Sequence, residues 1–175
     1  VQLIKLICTY LSDHADVLPQ NGNNLVITGP DPTPVQICDL RVMARHDLRT
    51  THEEADVVIV QQAIYLATTG VTSIRVVADD TDVCVLLLYY YHSQELTCNL
   101  VMAGTSHGRT SVDIKATADK YGHIISDLLP AHVLTGCDTV AYMWGIGKVA
   151  VVKSLSAGKQ LGKLGNLQLQ MTEII

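Results

Sequence analysis

Residues 71–82 read VTSIRVVADDTD, an apolar segment that ends in a group of aspartates. Residues 71–78 have the composition of a central strand, and they run directly into the sequence DDTD at 79–82. Carboxylates crowded at the end of a buried strand repel one another unless a positive charge lies among them. The simplest such charge is a divalent metal ion. This stretch therefore predicts a metal site at the carboxyl edge of a sheet.

The segments on either side predict a mostly parallel α/β fold, because helical and strand patterns alternate. The 48% hydrophobic content and the mean hydropathy of +0.26 favour a sheet that is buried on both faces. Predicted helices cover residues 1–11, 51–69, 116–121, 123–134 and 148–155, and Gly70 is the expected C-cap of the second. Residues 81–91 form either a buried helix or a continuing apolar segment. Predicted strands cover residues 25–28, 71–78, 97–103 and 110–114. Residues 35–38 fit either a strand or the start of a helix, and residues 41–50 read as basic and irregular.

Two further groups of acids accompany the aspartates. Glu54 and Asp56 fall in the first turn of the predicted helix 51–69, where Thr51 is an N-cap candidate and the helix dipole favours negative charge. Plain capping is the alternative for this pair. Asp138 follows a later helix and can reach the same edge from a third segment. Carboxylate oxygens are the ligands that Mg²⁺ prefers, and two such ions catalyse phosphodiester hydrolysis.

Taken in this order, the acidic motifs resemble those of the flap endonuclease and 5′–3′ exonuclease family, in the PIN-like superfamily, and also PIN-like proteins of animals. The motifs are EAD at 54–56, VVADDTD at 76–82, LTGCD at 134–138 and GIGK at 145–148. The resemblance covers residues 51–155. It implies a three-layer α/β/α domain with a partial helix–GIG–helix element behind it.

The resemblance also implies roles for single residues. Two Mg²⁺ or Mn²⁺ ions would be held by Glu54, Asp56, Asp80, Asp82 and Asp138, which are also the implied catalytic acids. Duplex backbone would be bound by Gly145, Ile146, Gly147 and Lys148, for which a simple helix–helix turn is the alternative. The implied organisation is a nuclease core over 1–134, the GIG element over 135–160 and a tail over 161–175.

The chain departs from the family pattern in its first part. The family carries another aspartate on an early strand, whereas Asp31 and Asp39 lie in loop-like sequence. Val57 stands where the bacterial branch often has a second acid. Since the chain starts at Val1 in the middle of a helical pattern, we expect the missing strand to precede it in a longer protein.

These observations predict a metal-dependent nuclease and leave one alternative open, a catalytically degenerate module that binds nucleic acid or protein. A phosphatase of the haloacid dehalogenase type is disfavoured, because Cys84 stands where such enzymes need Thr or Val. The net charge of −5 equals the charge of the five candidate acids, so it does not exclude a nucleic-acid partner. DNA is the expected partner, with no membrane and no small-molecule cofactor.

The remaining polar and aromatic residues have plainer interpretations. The five cysteines form no Cys-x-x-Cys pair, which favours reduced thiols in an intracellular protein. A nuclear location is the separate expectation for a nuclease of DNA. Of the seven histidines only His52 lies beside the acids, and the others are expected at surface or hydrogen-bonded positions. Residues 89–91 are three tyrosines that either stack on bases or, as we expect, pack against the sheet. Arg41, Arg45 and Arg49 either contact phosphate or, as we expect, form a solvated segment.

Overall fold

The computed structural model of the chain describes residues 2–17, 22–51, 54–106, 110–137 and 145–161. The α-helices of this part are α1 (Gln2–Asp13), α2 (Ala55–Thr68), α3 (Thr81–Ser93), α4 (Ile114–Leu134) and α5 (Lys148–Ser156). The strands are β1 (Leu25–Ile27), β2 (Val35–Cys38), β3 (Arg41–Ala44), β4 (Ser73–Val77), β5 (Asn99–Ala103) and β6 (Val112–Asp113). The predicted α/β class is confirmed. The chain divides within α2 into two compact units, Val1–Val58 and Ile59–Ile175.

The sheet of the first unit is an antiparallel meander in the order β1-β2-β3. β2 pairs with β3 from Cys38 opposite Arg41 to Val35 opposite Ala44. The prediction of irregular structure was therefore wrong for Arg41–Ala44. The two turn residues explain why: Asp39 and Leu40 have φ angles of 46° and 67°, as a tight two-residue hairpin requires. A sequence signal for such a turn is normally a glycine, and this turn has none.

The sheet of the second unit has the order β4-β5-β6 and carries the parallel pairing. β4 runs parallel to β5, with Ser73 opposite Asn99 and Val77 opposite Ala103. β6 runs antiparallel to β5, because the short connection between them cannot make a crossover. The prediction of a mostly parallel sheet thus holds for β4 and β5, whereas the other pairings among the described residues are antiparallel.

The core of the second unit lies on one face of this sheet, so the prediction of a sheet buried on both faces was wrong for β4. Along β4, Ile74 and Val76 are buried, while Arg75 is exposed and Val77 has 56% of its surface exposed. The buried side chains come from α2, α3 and α4 as well as from the strands. Members with no exposed surface are Val83, Leu87, Leu100 and Ile114. Burial of this one face is what holds α3 and α4 against the strands.

α4 is one continuous helix, so the prediction of two helices separated at Gly122 was wrong. Glycine weakens a helix, which is why the sequence suggests a break there. In the structure Gly122 lies where α4 meets α3, and a methyl group placed on it would be 3.2 Å from Cε1 of His92. The glycine therefore permits a close helix–helix approach instead of ending the helix.

α5 agrees with the helix predicted from Lys148 and packs on α4. Leu155 is buried in a small cluster with Ile124 and Ala131 of α4. The buried carboxylate of Asp127 accepts a hydrogen bond from the backbone N–H of Leu161 at 2.9 Å, which fixes the chain after α5. Most of the predicted tail, residues 162–175, lies outside the described residues.

The predicted glycine end of α2 is confirmed and can be tested. Gly70 has a φ of 87°, and Val71 closes the helix end by donating to the carbonyl of Leu66 at 3.4 Å. We expect Gly70→Ala to destabilise the protein by about 1 kcal/mol, since a side chain disfavours left-handed backbone. Gly70→Asn should lose less, because asparagine tolerates this conformation. Urea unfolding followed by circular dichroism gives the comparison, and equal stability of all three proteins would contradict this role.

Candidate functional site

Asp79–Asp82, here called the acidic turn, follows β4 at the carboxyl edge of the parallel pair. Asp79 accepts hydrogen bonds from the backbone N–H of Thr105, at 3.1 Å, and from its hydroxyl. Thr105 follows β5, so this contact joins the carboxyl ends of the two parallel strands. The predicted position of the aspartates at a strand edge is therefore what the structure shows.

Asp80 is the N-cap of α3. Its backbone is extended, and its Oδ1 accepts the backbone N–H of Asp82 at 2.8 Å. An N-cap oxygen satisfies one of the amide groups left over at the start of a helix. The second predicted metal ligand, Asp82, lies in the first helical turn, where the helix dipole favours its charge. The structure thus brings Asp80 and Asp82 together in one turn.

Asp82 also makes a long-range contact that links α3 to α4. Its Oδ1 lies 2.7 Å from Nε2 of His132, in the last turn of α4. The side chain of His132 is 8% exposed and that of Asp82 is 26% exposed. A carboxylate that is ionised only accepts hydrogen bonds, and on that basis we assign the proton of this contact to Nε2 of His132. The expectation that His132 is a hydrogen-bonded histidine fits this contact, although the sequence did not reveal its partner.

The antiparallel packing of two helices explains why this pair meets. Asp82 near the start of α3 faces His132 near the end of α4, and His92 at the other end of α3 faces Gly122. The only sequence signal for the pair is that His132 lies shortly before Asp138, in the segment expected to reach the acidic turn. That spacing alone could not separate it from the other histidines.

Two of the other predicted acids, Glu54 and Asp56, lie at the start of α2. α2 begins at Ala55, and the carbonyl of Glu54 accepts its first helical hydrogen bond, from Val58 at 3.3 Å. The prediction of Thr51 as N-cap was therefore wrong, since the helix starts four residues further on. Asp56 lies in the first turn, as expected. Asp138 and His52 lie outside the described residues.

The GIG element has the predicted bend before α5. Gly145 has a φ of 80°, and Gly147 is the N-cap of α5 but offers no side chain for the helix amides. Ile146 and Lys148 are both exposed. Free backbone amides and a lysine at the start of a helix can bind a phosphate group, which is the role that the resemblance implies.

Described contacts bear on one tyrosine and one arginine for which the sequence left two interpretations open. Tyr91 is 3% exposed and donates its hydroxyl proton to the carbonyl of Cys98 at 2.8 Å, so this ring packs in the core, as expected. Arg45 forms a two-pronged ion pair with Asp47, at 2.8 and 2.6 Å. All five cysteines are free, and burial raises the pKa of the Cys84 thiol in α3.

The donor set near the acidic turn fits a magnesium ion that keeps most of its water. Oδ1 of Asp80 and Oδ1 of Asp82 are used within the protein, and neither Oδ2 atom has a hydrogen bond to another described residue. Mg²⁺ is typically held by one or two carboxylates together with water and substrate phosphate. A closed cage is not present: no group of three or more His, Cys, Asp or Glu side chains in the described ranges could hold a metal.

Comparison with protein-family models, with curated proteins and with solved structures finds no match to this chain. Among the helices that the structure describes, none is long and apolar enough to cross a membrane.

Two substitutions of Asp80 can distinguish the contribution of its capping hydrogen bond from that of its charge. We expect Asp80→Ala to lower the free energy of unfolding by about 1 kcal/mol, whereas Asp80→Asn should leave it nearly unchanged, since asparagine caps helices equally well. Asp113 caps α4 in the same way, because it accepts the backbone N–H of Ala116 at 2.8 Å. Asp113→Ala and Asp113→Asn are therefore the matched control variants. Denaturant titration measures all four variants. A loss in Asp80→Asn as large as in Asp80→Ala would show that the charge, not the cap, stabilises this turn.

Proposed function

We propose that this chain is the core of a divalent-metal-dependent nuclease that hydrolyses phosphodiester bonds in nucleic acid. One observation carries the proposal: Asp80 and Asp82 lie together at the carboxyl edge of the parallel strands, each with one oxygen that no described residue bonds. In open α/β sheets the ligand crevice lies beyond this edge. The position, the charge and the oxygen chemistry of the turn all suit a hard cation.

The chemistry at this edge would be shared among the acids of the chain. A bound Mg²⁺ or Mn²⁺ pair would lower the pKa of an attacking water and stabilise the leaving oxygen. Asp80 and Asp82 would hold metal through Oδ2, with Glu54, Asp56 and Asp138 as the further ligands that the flap endonuclease resemblance implies. Because Oδ1 of Asp80 and Oδ1 of Asp82 are fixed by hydrogen bonds, their Oδ2 atoms are oriented before metal binds.

The GIG element supports nucleic acid as the substrate class. Gly147 leaves the first amide groups of α5 without a side-chain cap, and Lys148 adds a positive charge at the same place. Contacts of this kind hold a phosphate backbone without reading its sequence. DNA as the substrate, the three-layer PIN-like arrangement and a nuclear location belong to the same proposal.

A binding module without catalysis is the second candidate, and a specific observation favours it. Each carboxylate of the acidic turn has a partner inside the protein: Asp79 bonds Thr105, Asp80 caps α3 and Asp82 bonds His132. Such contacts give the turn a structural role that needs no metal. A degenerate nuclease domain would retain these contacts and its phosphate-binding GIG element.

Cleavage by the full chain distinguishes the two candidates. On labelled flap and single-stranded DNA with Mn²⁺, we expect cleavage that EDTA abolishes, because the attacking water needs the metal. Asp80→Asn combined with Asp82→Asn should reduce the rate at least 100-fold, about the effect expected when a group that stabilises transition-state charge is removed. Gel separation of the products measures the rates.

Asp113→Asn is the matched control. Asp113 also caps a helix, α4, but it ends β6, which runs antiparallel to β5 and so does not end at the same edge of the sheet. This variant should cleave at the native rate. Cleavage that survives the double variant would overturn the metal mechanism. Binding of DNA without cleavage under any metal would favour the second candidate.

A further inference from the structure

His132 is the one histidine whose described contact reaches the acidic turn, and the nuclease proposal does not account for it. Its side chain is buried, although a neutral or charged imidazole is costly to bury without a partner. Its Nε2 lies 2.7 Å from Oδ1 of Asp82, across the packing of α3 and α4. A buried ring is held rigidly by its surroundings, so its N–H donor has a fixed direction.

We infer that His132 is a positioning residue that orients the Asp82 carboxylate for a divalent cation. Donation from Nε2 fixes Oδ1, and the planar carboxylate then has only one direction left for Oδ2. Hydrogen bonds to a ligand carboxylate set its orientation in this way, and removing the donor typically weakens metal binding by about 10-fold to 100-fold. This role rests on the proposed function, because it needs a cation at Asp82.

The different burial of the two partners supports the view that His132 orients Asp82 and not the reverse. Asp82 is 26% exposed, so one side of its carboxylate still faces solvent, whereas His132 is 8% exposed and is enclosed. The enclosed histidine is therefore the fixed member of the pair, and the partly open carboxylate is the member that can also bind a ligand.

Mn²⁺ binding to the full chain, followed by electron paramagnetic resonance of the free ion, tests the inference without requiring activity. We expect His132→Phe to weaken binding about 10-fold and His132→Gln, which keeps an N–H donor, to weaken it less. His92→Phe, at the opposite end of the same helix pair, should bind as the native protein does. In an Asp82→Asn background His132→Phe should cause no further loss, because its effect passes through Asp82.

The outcomes separate this inference from the function it rests on. Native affinity in His132→Phe, with weaker binding in Asp82→Asn, would overturn the positioning role and leave the metal site intact. No Mn²⁺ binding by the native chain would overturn the metal site, and the positioning role with it. Circular dichroism shows whether His132→Phe folds; if it does not, His132→Gln against His132→Asn, whose shorter amide falls short of Asp82, replaces it. A proton on Nδ1 instead of Nε2 in ¹⁵N spectra of the metal-free protein would also overturn the inference.

Discussion

The parallel pairing of β4 with β5 is the constraint from which the rest of the second unit follows. Two parallel strands need a crossover, and α3 is that crossover. Its first turn must therefore lie at the carboxyl edge of β4, and its buried side chains must cover one face of the sheet. The acidic turn lies at this edge for the same reason, since it connects the end of β4 to the start of α3. Asp79 then reaches Thr105 at the end of β5 and ties the edge together.

The contact of Asp82 with His132 adds a second, polar link to this apolar framework. A hydrogen bond to a charged group contributes roughly 1.5–3 kcal/mol net, whereas an unmet buried donor costs about 1–3 kcal/mol. The two partners are not equivalent in this respect. Loss of Asp82 would leave an enclosed imidazole without its acceptor, while loss of His132 would leave a carboxylate that water still reaches. The pair therefore adds to the packing of α3 on α4, and the acid is the more stabilising member.

Local sequence signals predicted the elements that local chemistry determines. The change from the apolar sequence IRVVA to aspartates located the end of β4, and Gly70 located the end of α2. The signals failed where the deciding contact is distant. β3 was missed because the turn at Asp39 lacks glycine, and α4 was divided because its approach to His92 is invisible along the chain. The partner of His132 is 50 residues away, and no periodicity reports a contact of that length.

The acidic turn carries more charge than its structural contacts need. Asparagine caps a helix as well as aspartate does, and an amide oxygen can accept the bonds that Asp79 accepts from Thr105. A neutral turn would thus keep most of this geometry and avoid repulsion between neighbouring carboxylates. The dipole of α3 offsets only roughly 0.3–1 kcal/mol for each acid, and His132 faces Asp82 alone. This surplus negative charge is the reason why we propose a cation at this edge, since a helix cap alone does not require it.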